Sequence, residues 1–290
     1  MSPTPRAERA TNHPQPANLL KAGSGQGQQR DKRSSAQPAL YELDERKYAG
    51  PHRWQINPLA RVGRRLLRRH AYTRWIEQAF TEVHIAGRDL LDDIDGPALF
   101  VGNHASHLDT LLIHAGLPEP VRRKLYFGAA QDRWFVKGKK KLVLKPWYQS
   151  LALGNFPIKR GGGAQALDHA RWLLNKGEHV FLFPEGTRAT GDELGRFKHG
   201  AALLALECGV PVVPLYLVGL DLLRPKGERE VKRGVGAMEI LPPIRFHRGT
   251  DVEVATRTLE ERMSAVHRRY RAVAASNAPV LESSGLHHAA

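Results

Sequence analysis

From Pro97 to Val273 the chain alternates between short runs that read as strands and longer runs that read as helices, and this alternation constrains the fold more than any other feature. The runs "PALFVGN" (97–103), "KLYFGA" (124–129), "NFPIK" (155–159), "HVFLFPE" (179–185), "VPVVPLYLVG" (210–219) and "AMEILPPIRF" (237–246) are short and apolar. That is the signature of strands. The intervening or following runs "DTLLIHAG" (109–116), "GAQALDHARWLLNKG" (163–177), "KHGAALLALECG" (198–209) and "DVEVATRTLEERMSAVHRRYRAV" (251–273) carry apolar residues at helical spacing. Strands separated by helices need those helices to cover the sheet. The pattern therefore predicts an α/β single domain with a mostly parallel or mixed sheet. In such sheets, sites form where strands end and loops begin.

Two polar stretches fall at such ends. "NHASHLDT" (103–110) places two histidines and an aspartate between apolar runs. Inside one helix, His104 and Asp109 would face roughly 140° apart. If His104 lies in the loop after the strand and Asp109 in the first helical turn, they can meet. The carboxylate would then orient the imidazole as a general base. Two other readings fit the same residues. Ser106 and Asp109 form the S-x-x-D of a capping box, and His104, His107 and Asp109 are all of metal-ligand type. The second stretch, "FLFPEGTRATGDELGRFKHG" (181–200), delivers Glu185, Gly186, Thr187 and Arg188 at a strand end, with Lys198 following. Between the two, "GNFPIKRGGG" (154–163) sets Lys159 and Arg160 against consecutive glycines, a combination that lets backbone and arginine approach an anion.

Outside this region, residues 1–48 are rich in Pro, Gly, Gln and Ser and read as a disordered leader, and 276–290 as a flexible tail. Residues 49–84 read as a basic amphipathic helical segment. Leu59, Val62, Leu66, Trp75, Ile76 and Phe80 recur at helical spacing, with Arg61, Arg64, Arg65, Arg68 and Arg69 between them. Its functional reading is a membrane anchor, arginines on headgroups and apolar side chains in the interface. The bland reading is a surface helix on the core. The chain has 44 Lys+Arg against 29 Asp+Glu, a net charge of +15, which favours an anionic partner. One cysteine, Cys208, excludes an internal disulfide and suits a reducing compartment. No signal peptide and no transmembrane run is expected, which predicts a peripheral protein on the cytoplasmic face of a membrane.

Taken in order, Asn103 to Asp109 (N-H-x-x-x-x-D), Gly154 to Arg160 (G-x-x-x-x-x-R around Phe156), Phe183 to Arg188 (F-P-E-G-T-R) and the proline-containing strand from Val210 resemble the glycerolipid acyltransferase family, notably the 1-acyl-sn-glycerol-3-phosphate acyltransferases. The resemblance makes 85–275 an acyltransferase domain. It implies that His104, oriented by Asp109, deprotonates the free hydroxyl of a lysophospholipid, most simply 1-acyl-sn-glycerol-3-phosphate. The hydroxyl would attack the thioester of acyl-CoA or acyl-carrier protein, with no cofactor and no metal. Arg160 and Arg188 would hold the acceptor's phosphate, aided by Glu185, Gly186 and Thr187. The chain departs from the family between the first two blocks, where a lysine followed by an acidic residue and leucine is common and none stands clearly here. That leaves another lysolipid or an amino-lipid as an alternative acceptor. Two other classes compete: a basic nucleic-acid-binding protein, which leaves the motifs unexplained, and a metal-dependent hydrolase built on His104, His107 and Asp109.

Overall fold

The computed structural model describes residues 50–136, 141–142, 145–189, 193–224, 230–275 and 287–288. The expected leader, and most of the expected tail, lie outside the described residues.

Helix α1 (Pro58–Leu67) opens with Asn57, whose side chain accepts the Leu59 N–H at 2.9 Å. Pro58 takes the first helical position, where no N–H is needed. A π-helical turn (Arg68–Tyr72) carries the chain into α2 (Thr73–Ala79). Here the structure corrects the helical expectation over 49–84, because Phe80–Ala86 is strand β1. Thr81, Val83 and Ile85 alternate along it, and β-branched residues at period two favour a strand once a partner edge is present. There follow β2 (Leu99–Gly102), α3 (Asp109–Gly116), α4 (Glu119–Arg122), β3 (Leu125–Ala130), α5 (Gln131–Trp134), α6 (Pro146–Tyr148), β4 (Asn155–Ile158), α7 (Asp168–Asn175), β5 (His179–Leu182), α8 (Gly200–Cys208), β6 (Val212–Val218), α9 (Leu220–Leu223), β7 (Gly234–Ile240) and α10 (Val252–Ala275).

The strands form one mixed sheet in the order β4-β3-β5-β2-β6-β7-β1, with a two-residue strand, β8 (His287–His288), pairing antiparallel at the β1 edge. From β4 to β6 all neighbours are parallel; β7 runs antiparallel to β6 and parallel to β1. The α/β expectation holds. Alternation along each buried strand divides the core. Leu99, Val101, Val180 and Leu182 face α7, α8 and α10, whereas Phe100 and Phe181 face α2 and α3. Because β4, β3, β5, β2 and β6 all point the same way, the loops after them open along one edge.

Helix α1 packs the opposite way round from an ordinary surface helix. Leu59, Val62 and Leu66 lie within a band of about 60° on a helical wheel, and Arg61, Arg64 and Arg68 lie on the far side. The arginine side is the one turned inward. Arg64 is 2% exposed and donates to Leu151 O (2.9 Å), Tyr126 Oη (2.7 Å) and Gln55 O (3.0 Å). Arg68 donates to Ala152 O, Leu153 O and Arg122 O. The carbonyls of Leu151, Ala152 and Leu153 end the π-helical turn Gln149–Leu153 and have no onward helical partner. Cations there meet the negative end of a helix dipole. Arg61 pairs with buried Glu178. The apolar side faces out: Leu59, Val62 and Leu66 are 83%, 58% and 54% exposed. The amphipathic helix is therefore present, but Arg61, Arg64 and Arg68 fasten it to the core instead of reaching outward.

Candidate active site

Asn103 ends β2 by imitating a strand residue. Its side-chain amide donates to Leu217 O (3.0 Å) and accepts from Leu217 N (2.7 Å), which extends the β2–β6 pairing by one step. The chain then turns into α3 through 103–108. His104 Nδ1 lies 2.7 Å from Asp109 Oδ2. The Asp109 carboxylate also accepts the N–H of Ala105 at Oδ2 (2.9 Å) and of Ser106 at Oδ1 (2.9 Å). Both backbone partners of this carboxylate are donors, so the proton of the contact with the imidazole belongs on His104 Nδ1, leaving Nε2 as the acceptor nitrogen. Asp109 is fully buried, and burial raises its pKa above the ordinary value while the hydrogen bonds from His104, Ser106 and Ala105 draw it back. The Ser106 N–H on Asp109 is one half of the capping box, so capping and the His–Asp contact coexist in one carboxylate.

The neighbouring strand end clamps this loop. Glu185 is buried; its Oε1 accepts the His104 N–H and its Oε2 the Gly195 N–H, each at 2.9 Å. The His104 carbonyl accepts the Ala189 N–H at 2.9 Å. The imidazole stacks on Phe183 with ring centroids 4.0 Å apart and planes at 19°. Gly186 has φ +70°, a conformation that favours glycine, and it packs against the Lys198 side chain. Glu185 thus contributes by holding backbone, a role that the sequence does not reveal.

His104 opens onto a cavity of about 840 Å³, within the range of ligand pockets. Leu111, Phe127, Leu153, Ile158 and Leu182 form an apolar wall, and Arg160, Gly186, Thr187 and Arg188 lie at its polar side with Lys159 and Lys198. Of the expected site residues, His104, Arg160, Gly186, Thr187 and Arg188 line this cavity, while Asp109 and Glu185 are buried and hydrogen-bonded to His104. Arg160 is ion-paired with Asp132 in the exposed rim. His107 does not join His104 and Asp109; its Nε2 meets Arg133 Nη2 at 3.1 Å. Among the described residues no cluster of three or more His, Cys, Asp or Glu is placed to hold a metal ion. Burial, reinforced by Arg188, Arg133 and Arg224, pushes the His107 pKa down to about 3. Arg133 and Arg224 line the same cavity and belong to none of the motifs. They are the site residues that sequence reasoning missed.

A mixed α/β sheet with a histidine, held by a buried aspartate, at the carboxyl ends of its central parallel strands defines the class, and comparison with known proteins agrees. Residues 82–218 match the family described as Acyltransferase. It is 34% identical over 156 residues to the chloroplastic 1-acyl-sn-glycerol-3-phosphate acyltransferase of Arabidopsis thaliana, covering 52% of this chain and 40% of that protein. It is 30% identical over 155 residues to the human 1-acyl-sn-glycerol-3-phosphate acyltransferase alpha, covering 51% and 50%. The match thus spans half or less of these relatives' length. The crystal structure of the 1-acyl-sn-glycerophosphate acyltransferase PlsC from Thermotoga maritima shares the fold, with a TM-score of 0.60 at 22% identity over 76% of this chain and 85% of that one.

Proposed function

We propose that this protein transfers a fatty acyl group from acyl-CoA or acyl-carrier protein to the free hydroxyl of a lysophospholipid, with 1-acyl-sn-glycerol-3-phosphate as acceptor and phosphatidic acid as product. The observation that carries this reading is the 2.7 Å contact between His104 Nδ1 and Asp109, with His104 lining a cavity that has both apolar and basic residues in its wall. His104 Nε2 takes the proton of the acceptor hydroxyl as the oxygen attacks the thioester carbonyl. A C–O bond forms, the C–S bond breaks, and the imidazolium returns its proton to the departing thiolate. Asp109 stabilises the imidazolium and fixes its orientation. Holding both substrates in one cavity supplies the proximity that such a reaction needs. The chemistry draws on no metal or cofactor. Arg188 and Arg160 attract the phosphate, with Gly186 and Thr187 shaping the turn beside it.

The exposed stripe Leu59, Val62, Leu66 on α1, in a chain of net charge +15, supports docking on an anionic membrane surface, from which a lysolipid can enter. No described helix is long and apolar enough to cross a membrane.

The test is thiol release from palmitoyl-CoA with and without lysophosphatidate, with the lipid product identified by mass. Release that depends on the acceptor and yields phosphatidate is expected. Release indifferent to acceptor would make the protein a thioesterase and overturn the proposal.

A further inference from the structure

The cavity beside His104 takes its wall from both faces of the sheet, and the two sides differ in chemistry. On the α2/α3 face the lining is Trp75, Leu111 and Phe127, large and apolar. On the α7/α8 face, apart from Leu167 and Leu203, it is small or polar, with glycines 161–163, Ala164, His199 and Ala201. An acyl chain has no polar atom beyond its carbonyl and suits the first side. The second suits a slim group that carries amides. Glycines 161–163 put no side chain over their backbone, and a Cβ built on Gly161 or Gly163 would meet nothing within 4 Å.

His199 adds a directional partner to this side. It immediately precedes α8, is exposed, and belongs to none of the four motifs. Its Nδ1 lies 3.1 Å from Oγ1 of Thr256, a buried residue of α10. Thr256 donates its one hydroxyl proton to Val252 O at 2.7 Å. The threonine oxygen can therefore only accept, so the proton of the contact belongs to His199 Nδ1, and in the neutral imidazole Nε2 is the acceptor. The cavity wall thus holds two histidines with assigned tautomers: His104, set by Asp109, and His199, set by Thr256.

We propose that His199 Nε2 accepts an amide N–H from the pantetheine arm of the acyl donor, and that this arm lies along the α7/α8 side of the cavity. The ligand chemistry is a slim chain with two amide groups, which acyl-CoA and acyl-carrier protein share. An ionised phosphate is a poor partner for this nitrogen, because both are acceptors. The lysolipid does not fit either: it has one hydroxyl, which His104 takes, and no N–H. The arm of the donor supplies the N–H that the lysolipid lacks. Thr256 touches no substrate and is a positioning residue that acts through His199. This inference rests on the acyl-transfer reading and adds to it a donor-binding residue outside the motifs.

The experiment compares steady-state kinetics of the full chain and its His199→Leu, His199→Gln, Thr256→Val and Thr256→Ser variants. Lysophosphatidate is the acceptor, and palmitoyl-CoA, palmitoyl-acyl-carrier protein or palmitoyl-pantetheine the donor. His199→Leu should raise the KM of every donor about tenfold, the worth of one hydrogen bond, and leave the KM of lysophosphatidate unchanged. His199→Gln, which keeps an acceptor, should recover most of the loss. Thr256→Val should also raise the donor KM, and Thr256→Ser should restore it; a merely structural threonine would lower Tm without moving the donor KM. A rise for palmitoyl-CoA or the carrier protein without one for palmitoyl-pantetheine would place His199 on the nucleotide or the protein and overturn the assignment. An unchanged donor KM in His199→Leu, or a rise in the KM of lysophosphatidate instead, would overturn it too. If the wild type transfers no acyl group at all, that reading fails separately, and calorimetric titration with coenzyme A still decides the arm. Binding weakened in His199→Leu and recovered in His199→Gln supports it; binding unchanged by His199→Leu, or absent from the wild type, overturns it.

Discussion

Glu185 accepts the backbone N–H of His104 at 2.9 Å, so the strand end of one motif holds the loop of another. Replacing it by glutamine turns one acceptor oxygen into a donor facing an N–H. Glu185→Gln should lower kcat by about ten- to a hundredfold while Tm falls by only a few degrees, since one buried hydrogen bond is worth about 1–3 kcal/mol. Kinetics and thermal melting on the same preparation check this. Wild-type kcat in a folded variant would show that the clamp is dispensable.

Asp109→Asn removes the charge but retains the shape. The amide offers N–H groups where the loop and the imidazole already supply donors, and it favours the wrong imidazole tautomer. By analogy with other carboxylate-oriented histidines, kcat should fall by about 10³–10⁴. KM for either substrate should move little, because Asp109 is buried behind His104.

Much of this architecture is legible in the sequence. The strands read from apolar runs are all present, because they are largely buried and bounded by turn residues. Strand β1 is hidden because "FTEVHIA" follows a helix without a break and Phe80 continues its period. The inward turn of α1 is equally hidden. A helical wheel places Arg64 and Val62 on opposite sides but does not say which side meets the core. That depends on the carbonyls of Leu151 to Leu153, far along the chain. The spacing of His104 and Asp109 at a strand end permits their pairing but leaves a capping box and a metal site open, and the resemblance to the acyltransferase motifs chooses among them. Arg133 and Arg224 cannot be foreseen, since they lie in short connectors with no pattern. They reach the site because β3 lies beside β5 and β6 beside β2, and strand order is not written locally.

The reversed helix has a measurable consequence for stability. Arg64→Ala strips partners from Tyr126 Oη and from two carbonyls, and should destabilise the fold by about 2–4 kcal/mol. Arg65→Ala, an exposed change on the same helix, should cost less than about 0.5 kcal/mol. Urea denaturation of both variants checks the contrast, and equal losses would contradict the inward reading.

The outward stripe makes the complementary prediction. Leu59→Ser, Val62→Ser and Leu66→Ser combined should reduce co-sedimentation with anionic vesicles by at least about tenfold while the urea midpoint stays close to wild type. Loss of stability without loss of vesicle binding would mean that the stripe packs against protein.

Acid should weaken the fold from about pH 6.5 downward. Burial holds His169 at a pKa of about 3 and His179 at about 4, and it also lowers His52, His107 and His114. A folded pKa below the unfolded one means that the unfolded chain binds more protons, so stability falls with pH. Each fully depressed histidine contributes about 1.4 kcal/mol per pH unit. Asp109, Glu178 and Glu185, raised by burial, act in the opposite sense as they take up protons. The more numerous histidines should prevail between about pH 6.5 and 5. A urea midpoint lower at about pH 5 than at about pH 7 is expected, and an equal or higher one would contradict this.

The central claim is that His104 is the base. The direct measurement is the rate of lysophosphatidate-dependent thiol release from palmitoyl-CoA by His104→Ala, with folding verified by circular dichroism and with imidazole added back. The account predicts a loss of at least about 10³-fold, partly restored by imidazole. A folded variant that retains wild-type turnover would contradict it.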